Sequence, residues 1–168
     1  MVWVRSEYAG ELAVLSAWLA ALIPWNVTVA SEQVPGYLFY LRFPFAEVQY
    51  LLGFDVGGRS FFLLSIAEAV TNQSGQVVYG AYLTWAAGAA LIGAAVLVSI
   101  AYYLEEEYVE SGPVDPVRAI GALLTAAGAV LLVATYLLVT RGIPGIPLPI
   151  GALLLAVIGG TLLRVERR

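Results

Sequence analysis

The sequence contains no cysteine, no histidine and no lysine, and its eight basic residues are all arginine: Arg5, Arg42, Arg59, Arg118, Arg141, Arg164, Arg167 and Arg168. Without cysteine there is no disulfide framework, thiolate nucleophile, iron–sulfur ligand or CxxC redox pair. Without histidine the chain lacks the commonest general base, the usual haem ligand and the commonest zinc ligand. Without lysine there is no Schiff base, which excludes retinal and pyridoxal chemistry. No cluster of nucleophile, acid and base is visible either, so the chain reads as non-enzymatic, with no catalytic residue, cofactor or metal.

Charge is scarce too. Only 12% of the 168 residues are charged and 61% are hydrophobic, with a mean hydropathy of +0.86. Soluble domains carry about 45–50% apolar and about 25% charged residues. This composition excludes a disordered chain, a collagen, a nucleic-acid-binding domain and an ordinary soluble enzyme. It makes a lipid bilayer the expected solvent.

A membrane span needs about 20 mostly apolar residues, and four segments qualify. They are residues 6–25, with the clean part running from Glu11 to Trp25, then Gly80–Leu104, Ala119–Thr140 and Ile146–Leu163. The third has the clearest start, with Asp115 able to cap free amides and Pro116 suited to the first helical position. Gly142, Pro144, Gly145 and Pro147 make the next connection a tight turn, and Pro149 can open the fourth helix. The first apolar stretch lacks a small-x-small cleavage site and is read as a retained helix. Orientation follows the arginines in short flanks. Arg5, Arg118, Arg164, Arg167 and Arg168 place both termini on the cytoplasmic side of the cell membrane. The loop 105–118, with Glu105, Glu106, Glu107 and Glu110, is then a solvated cytoplasmic helix end.

About fifty residues, 27–79, lie outside between the first two helices. Tyr37-Leu38-Phe39-Tyr40-Leu41-Arg42-Phe43 is rich in aromatics, and Val48, Tyr50 and Leu52 alternate with Glu47 and Gln49 in a half-buried strand pattern. Gly57-Gly58 makes a turn before a strand over Ser60–Leu64. Ser65-Ile66-Ala67-Glu68 reads as a capping box opening a short helix, which Asn72 to Gly75 breaks. The expected fold is therefore a mainly α membrane protein in one domain. It is a four-transmembrane-helix bundle with a small extracellular antiparallel β-sheet between helices 1 and 2.

Four spans, both ends inside, a strand-forming first outer segment, Ile23-Pro24-Trp25 at the end of the first helix and a capped helix before the second resemble the claudin and peripheral-myelin-protein architecture. The absence of lysine, the acidic balance (net charge −4) and the Ala/Val/Gly-rich chain resemble proteins of extremely halophilic archaea. Met1-Val2-Trp3-Val4-Arg5-Ser6-Glu7-Tyr8-Ala9-Gly10-Glu11-Leu12 and Val114-Asp115-Pro116-Val117-Arg118 are similar to small uncharacterised haloarchaeal membrane proteins. That family implies no assigned activity.

Glu11 is the one carboxylate able to enter a span. By analogy with four-helix multidrug transporters it would bind protons and cations. Its place a turn past Arg5, and its i,i+4 neighbour Glu7, suit an interfacial role better. Small-residue rows (Ala86, Ala90, Ala94; Gly121, Thr125, Ala129; Ala152, Ala156, Gly160) point to close helix packing. Trp3, Trp25, Trp85, Tyr8, Tyr79, Tyr82, Tyr102 and Tyr103 fall near expected interfaces, as an aromatic belt does. Two glycosylation sequons begin at Asn26 and Asn72, of which Asn72 stands farther from the bilayer.

Two function classes remain. One is a structural or accessory subunit, or a cell-surface contact protein, that binds another membrane or cell-surface protein, or itself, through the outer sheet. The other is a small transporter or channel. For the first, Arg42 and Glu47 flank Phe43-Pro44-Phe45 and would form an exposed rim around an apolar tip. A sheet that only lids the bundle is the alternative use of this segment.

Overall fold

A computed structural model describes residues 8–31, 35–105 and 114–165. Arg5, Ser6, Glu7, Arg167, Arg168 and the acidic residues Glu106, Glu107 and Glu110, on which the sequence placed flanks of helices, lie outside them. In chain order the elements are α1 (Ala9–Leu22), β1 (Asn26–Ala30), β2 (Tyr37–Arg42), β3 (Ala46–Leu52), β4 (Phe61–Ser65), α2 (Ile66–Asn72), α3 (Tyr79–Leu104), α4 (Pro116–Thr140), β5 (Ile146–Leu148) and α5 (Ile150–Leu163).

The expected four-transmembrane-helix bundle is corrected by these lengths. Two helices are long and apolar enough to cross a bilayer by length and composition, α3 with a mean hydropathy of 2.0 and α4 with 2.3. The other two apolar helices have 14 residues each, about 21 Å at 1.5 Å per residue against a hydrocarbon core of about 30 Å. Both are shortened because flanking residues join a sheet. Ile23 leaves the helical region (ψ 134°) and Pro24 cannot extend the α1 ladder, so the chain enters β1 at Asn26. Residues 146–148, expected as the first turn of the last helix, pair with β1 as a strand, and helix begins only after Pro149.

The two long apolar helices pack through seams with alternating four- and three-residue spacing, the period of left-handed helix packing. In α3 the seam is Ala81, Trp85, Gly88, Ile92, Ala95, Ser99 and Tyr102, all buried. In α4 it is Val117, Gly121, Leu124, Gly128, Leu131, Thr135 and Leu138. The row Ala86, Ala90, Ala94 is turned away from this seam. Ala90 is exposed and the other two are half-buried. On α5 the close-packing positions are Ala152, Ala156 and Gly159, while Gly160 faces open space.

The sheet has five antiparallel strands in the order β4-β3-β2-β1-β5. The β2–β3 hairpin closes with the Phe43 amide donating to the Ala46 carbonyl at 2.8 Å. The β3–β4 hairpin turns at Gly57 and Gly58, both at positive φ, as a primed two-residue turn requires. Asp55 Oδ1 accepts from the Gly58 amide there.

Local caps follow the sequence closely. Asp115 caps α4 by accepting from the Val117 amide at 2.9 Å, with Pro116 next. Ser65 and Glu68 form the full capping box of α2. Glu68 Oε2 accepts from both the Ser65 amide and its hydroxyl at 2.7 Å, and the Glu68 amide donates to Ser65 Oγ at 3.3 Å. The Ser65 side-chain bond, then its backbone bond, hold the Glu68 carboxyl below the usual glutamate range. A depressed folded-state pKa gives stability that is present above the unfolded value and is lost as the pH falls through the folded one. The first turn of α2 should therefore lose amide protection at acid pH, read by hydrogen exchange at Glu68. Protection unchanged down to a pH where all carboxyls are neutral would overturn this role for the cap.

Candidate functional site

The register sorts the sheet into two unlike faces. One cross-strand row reads Leu148, Val27, Leu41, Val48, Leu63 and the next Ile146, Val29, Phe39, Tyr50, Phe61. Every position is apolar or aromatic, and none is buried. The intervening rows, facing the helices, read Pro147, Thr28, Tyr40, Gln49, Phe62 and Asn26, Arg42, Glu47, Leu64. The sheet thus directs its polar side chains inward and its apolar ones outward.

The inward cluster centres on Arg42 and Glu47, cross-strand partners that are both 0% exposed. Arg42 Nε stands 2.9 Å from Glu47 Oε2, an ion-pair distance, although its N–H is not aligned for a hydrogen bond. One terminal guanidinium nitrogen donates to Asn26 Oδ1 at 3.1 Å and to Thr28 Oγ1 at 2.8 Å, and the other to the Tyr82 hydroxyl at 3.3 Å. The Tyr82 hydroxyl donates to Glu47 Oε2 at 2.9 Å, and Gln49 Nε2 donates to Glu47 Oε1 at 2.7 Å. Asn26 Nδ2 reaches Thr135 Oγ1 on α4 at 3.5 Å. The guanidinium also lies 4.8 Å from the Tyr40 ring centre and 5.6 Å from that of Tyr82. Burial pushes the Tyr40 phenol above its usual range, with the Arg42 charge opposing.

Beside the cluster, Trp25 and Trp85 lie 6.0 Å apart and Tyr82 packs edge-on against Trp85 at 5.5 Å. Trp85 Nε1 donates to the Pro44 carbonyl at 3.0 Å, pinning the β2–β3 turn to α3. A pocket of about 530 Å³ opens between the inner sheet face and the helix ends, with Tyr40, Tyr82, Gln73, Gln76 and Arg141 among its walls.

These positions correct the residue-level expectations. Arg42 and Glu47 form no exposed rim, because their charges are paired beneath the sheet. Phe43 is half-buried, and Phe45 is partly exposed with its ring turned toward Gly93 of α3. The apolar tip therefore packs down the helix instead of projecting from the sheet. Asn26 is buried and hydrogen-bonded within the cluster, so it is no glycosylation acceptor. Asn72 is exposed at the end of α2. Glu11 is exposed on α1. Sequence reasoning missed Thr28, Gln49 and Tyr82 as partners of the ion pair, and Thr135 as the partner of Asn26. The available signal was the Arg42/Glu47 pairing that a two-residue hairpin at Pro44-Phe45 enforces. Among the described residues no three acidic side chains gather as metal ligands would.

Apolar helices, two of them long enough to span a bilayer, carry a five-stranded sheet clamped to their ends by a buried ion pair. That is the class of protein this fold defines. The chain belongs to the family of unknown function DUF7549, which it matches over residues 2–167. No curated protein matches it.

Proposed function

We propose that this is a non-catalytic membrane protein that works by protein–protein contact, as a structural or accessory subunit, and that the outer face of the sheet is its contact surface. The observation that carries the reading is the pair of apolar rows crossing all five strands without a charged residue. Contiguous exposed apolar patches beyond a few hundred Å² mark interaction sites. The contact surface is therefore this face, and the Phe43-Pro44-Phe45 tip serves to anchor it.

In this reading α3 and α4 cross the cell membrane. Arg118 and Arg164 lie at one end of the helices, α1 starts and α5 finishes there, and that end is cytoplasmic by the arginine rule. The sheet then stands on the outer side. Helix hydroxyls favour contact over transport: Ser99, Thr125 and Thr135 each donate to a carbonyl of their own helix. A solute path needs polar groups turned toward the solute.

The test replaces Phe61 and Leu63, 52% and 64% exposed on β4, with serine together. The assembly extracted from native membranes in mild detergent should lose mass by light scattering, with helicity by circular dichroism unchanged. An assembly of unchanged mass around a folded double variant would overturn the reading.

A further inference from the structure

The outer face has to be covered by something, and we propose that its occupant is a second copy of this chain, sheet packed on sheet about a two-fold axis. The inference rests on the contact reading above and adds the partner. Lipid does not suit this face. The sheet keeps two free edges, β4 and β5, whose unpaired backbone groups hydrocarbon cannot satisfy. The β3–β4 loop beside it, residues 53–60 with Asp55 and Arg59, is exposed throughout except for Phe54, which is half-buried. The cover is therefore protein, at a level where water still reaches the edges.

A second copy fits on three counts. The face carries no Asp, Glu or Arg, so an isologous contact, in which the same patch meets itself, brings no like charges together. The chain elsewhere is acidic, with net charge −4, and this face is where two copies meet without that repulsion. Five strands of about five residues, at about 4.8 Å between strands and about 3.4 Å per residue, project an area of about 400 Å². Side chains standing off the sheet raise the accessible area well above its projection, so two faces reach the ~1,000 Å² of a specific interface. Aligned sheets then pack about 10 Å apart with interdigitated side chains, as in a sandwich.

Because β2 is the central strand, Phe39 lies near the two-fold axis. The chain has no cysteine, so a single introduced thiol reports alone. In the purified full chain, Phe39→Cys treated with a short bis-maleimide should give a covalent dimer. Leu97→Cys, exposed on α3, should not, and Leu63→Lys introduced beside Phe39→Cys should reduce the dimer yield at least tenfold while helicity is retained. A monomer by light scattering in both detergent and nanodiscs, or cross-linking through Leu97→Cys instead, would overturn self-pairing. If the native assembly instead holds a different protein on this face, and F61S/L63S releases it, self-pairing fails and the contact reading stands. If F61S/L63S changes nothing, both fail.

Discussion

Arg42→Leu should destabilise the protein by about 3–5 kcal/mol, the cost of leaving one member of a buried ion pair without its partner. Glu47 is 0% exposed and would keep only the Tyr82 and Gln49 donors against a carboxylate out of water. Asn26 Oδ1 would lose its Arg42 donor, keeping Thr28, and Thr28 Oγ1 would lose one too. Breaking these bonds also loosens the sheet from α3, since the guanidinium joins strand residues to Tyr82. The double variant, Arg42→Leu with Glu47→Leu, should be more stable than Arg42→Leu alone. Removing both charges at once leaves no uncompensated ion, and apolar replacement of buried pairs is often neutral or favourable. Unfolding followed by near-ultraviolet circular dichroism of Trp25 and Trp85, which sit beside the cluster, reads the difference. Additive losses in the double variant would mean that the two side chains act independently, contrary to their 2.9 Å approach.

That cluster also marks where the sequence stops being legible. Caps were readable because they are local: Asp115-Pro116 and Ser65…Glu68 need only their own neighbours to act. Strand β3 was readable from alternation, β2 from its aromatic residues and β4 from the Gly57-Gly58 turn before it. Their sidedness was not. Alternation says which residues share a face, and the sequence reading assigned Glu47 and Gln49 to water because polar residues usually face it. Here the inner face meets Tyr82 and Thr135, 35 and 88 residues beyond Glu47: Tyr82 bonds both buried charges, and Thr135 accepts from Asn26. β5 was missed for the same non-local reason, and β1 because it is too short to show a period. Asn26–Ala30 pairs with the nearby β2 as well, whereas Ile146–Leu148 becomes a strand only by pairing with β1 across more than a hundred residues. Once Ile23 turns the chain toward β1 and residues 146–148 of the last apolar stretch pair as β5, the helices left behind are 14 residues long. Hydropathy registers apolar length, which strand and helix share.

The helix seams allow the second large prediction. Gly159→Val should destabilise the protein by about 3 kcal/mol, the upper end of the range for overpacking, whereas Gly160→Ala should be neutral or stabilising by up to about 1 kcal/mol through helix propensity. A Cβ at Gly159 would stand 2.5 Å from the backbone nitrogen of Thr125 and 2.7 Å from the carbonyl oxygen of Gly121. Backbone cannot rotate aside, so α4 and α5 must separate. Separation spreads along the seam, because Gly128 approaches Ala156 N and Ala152 O, and Gly121 approaches Leu162, in the same manner. Helices that pack within a bilayer depend on close approach through small residues, so the loss there has no hydrophobic compensation from lipid. At Gly160 nothing lies within 4 Å of the added carbon. Apparent Tm in one detergent separates the neighbours: a large drop for Gly159→Val beside an unchanged or higher value for Gly160→Ala places the seam on the 152–156–159 row. Equal drops for both would mean that the row expected from the sequence, through Gly160, makes the contact instead.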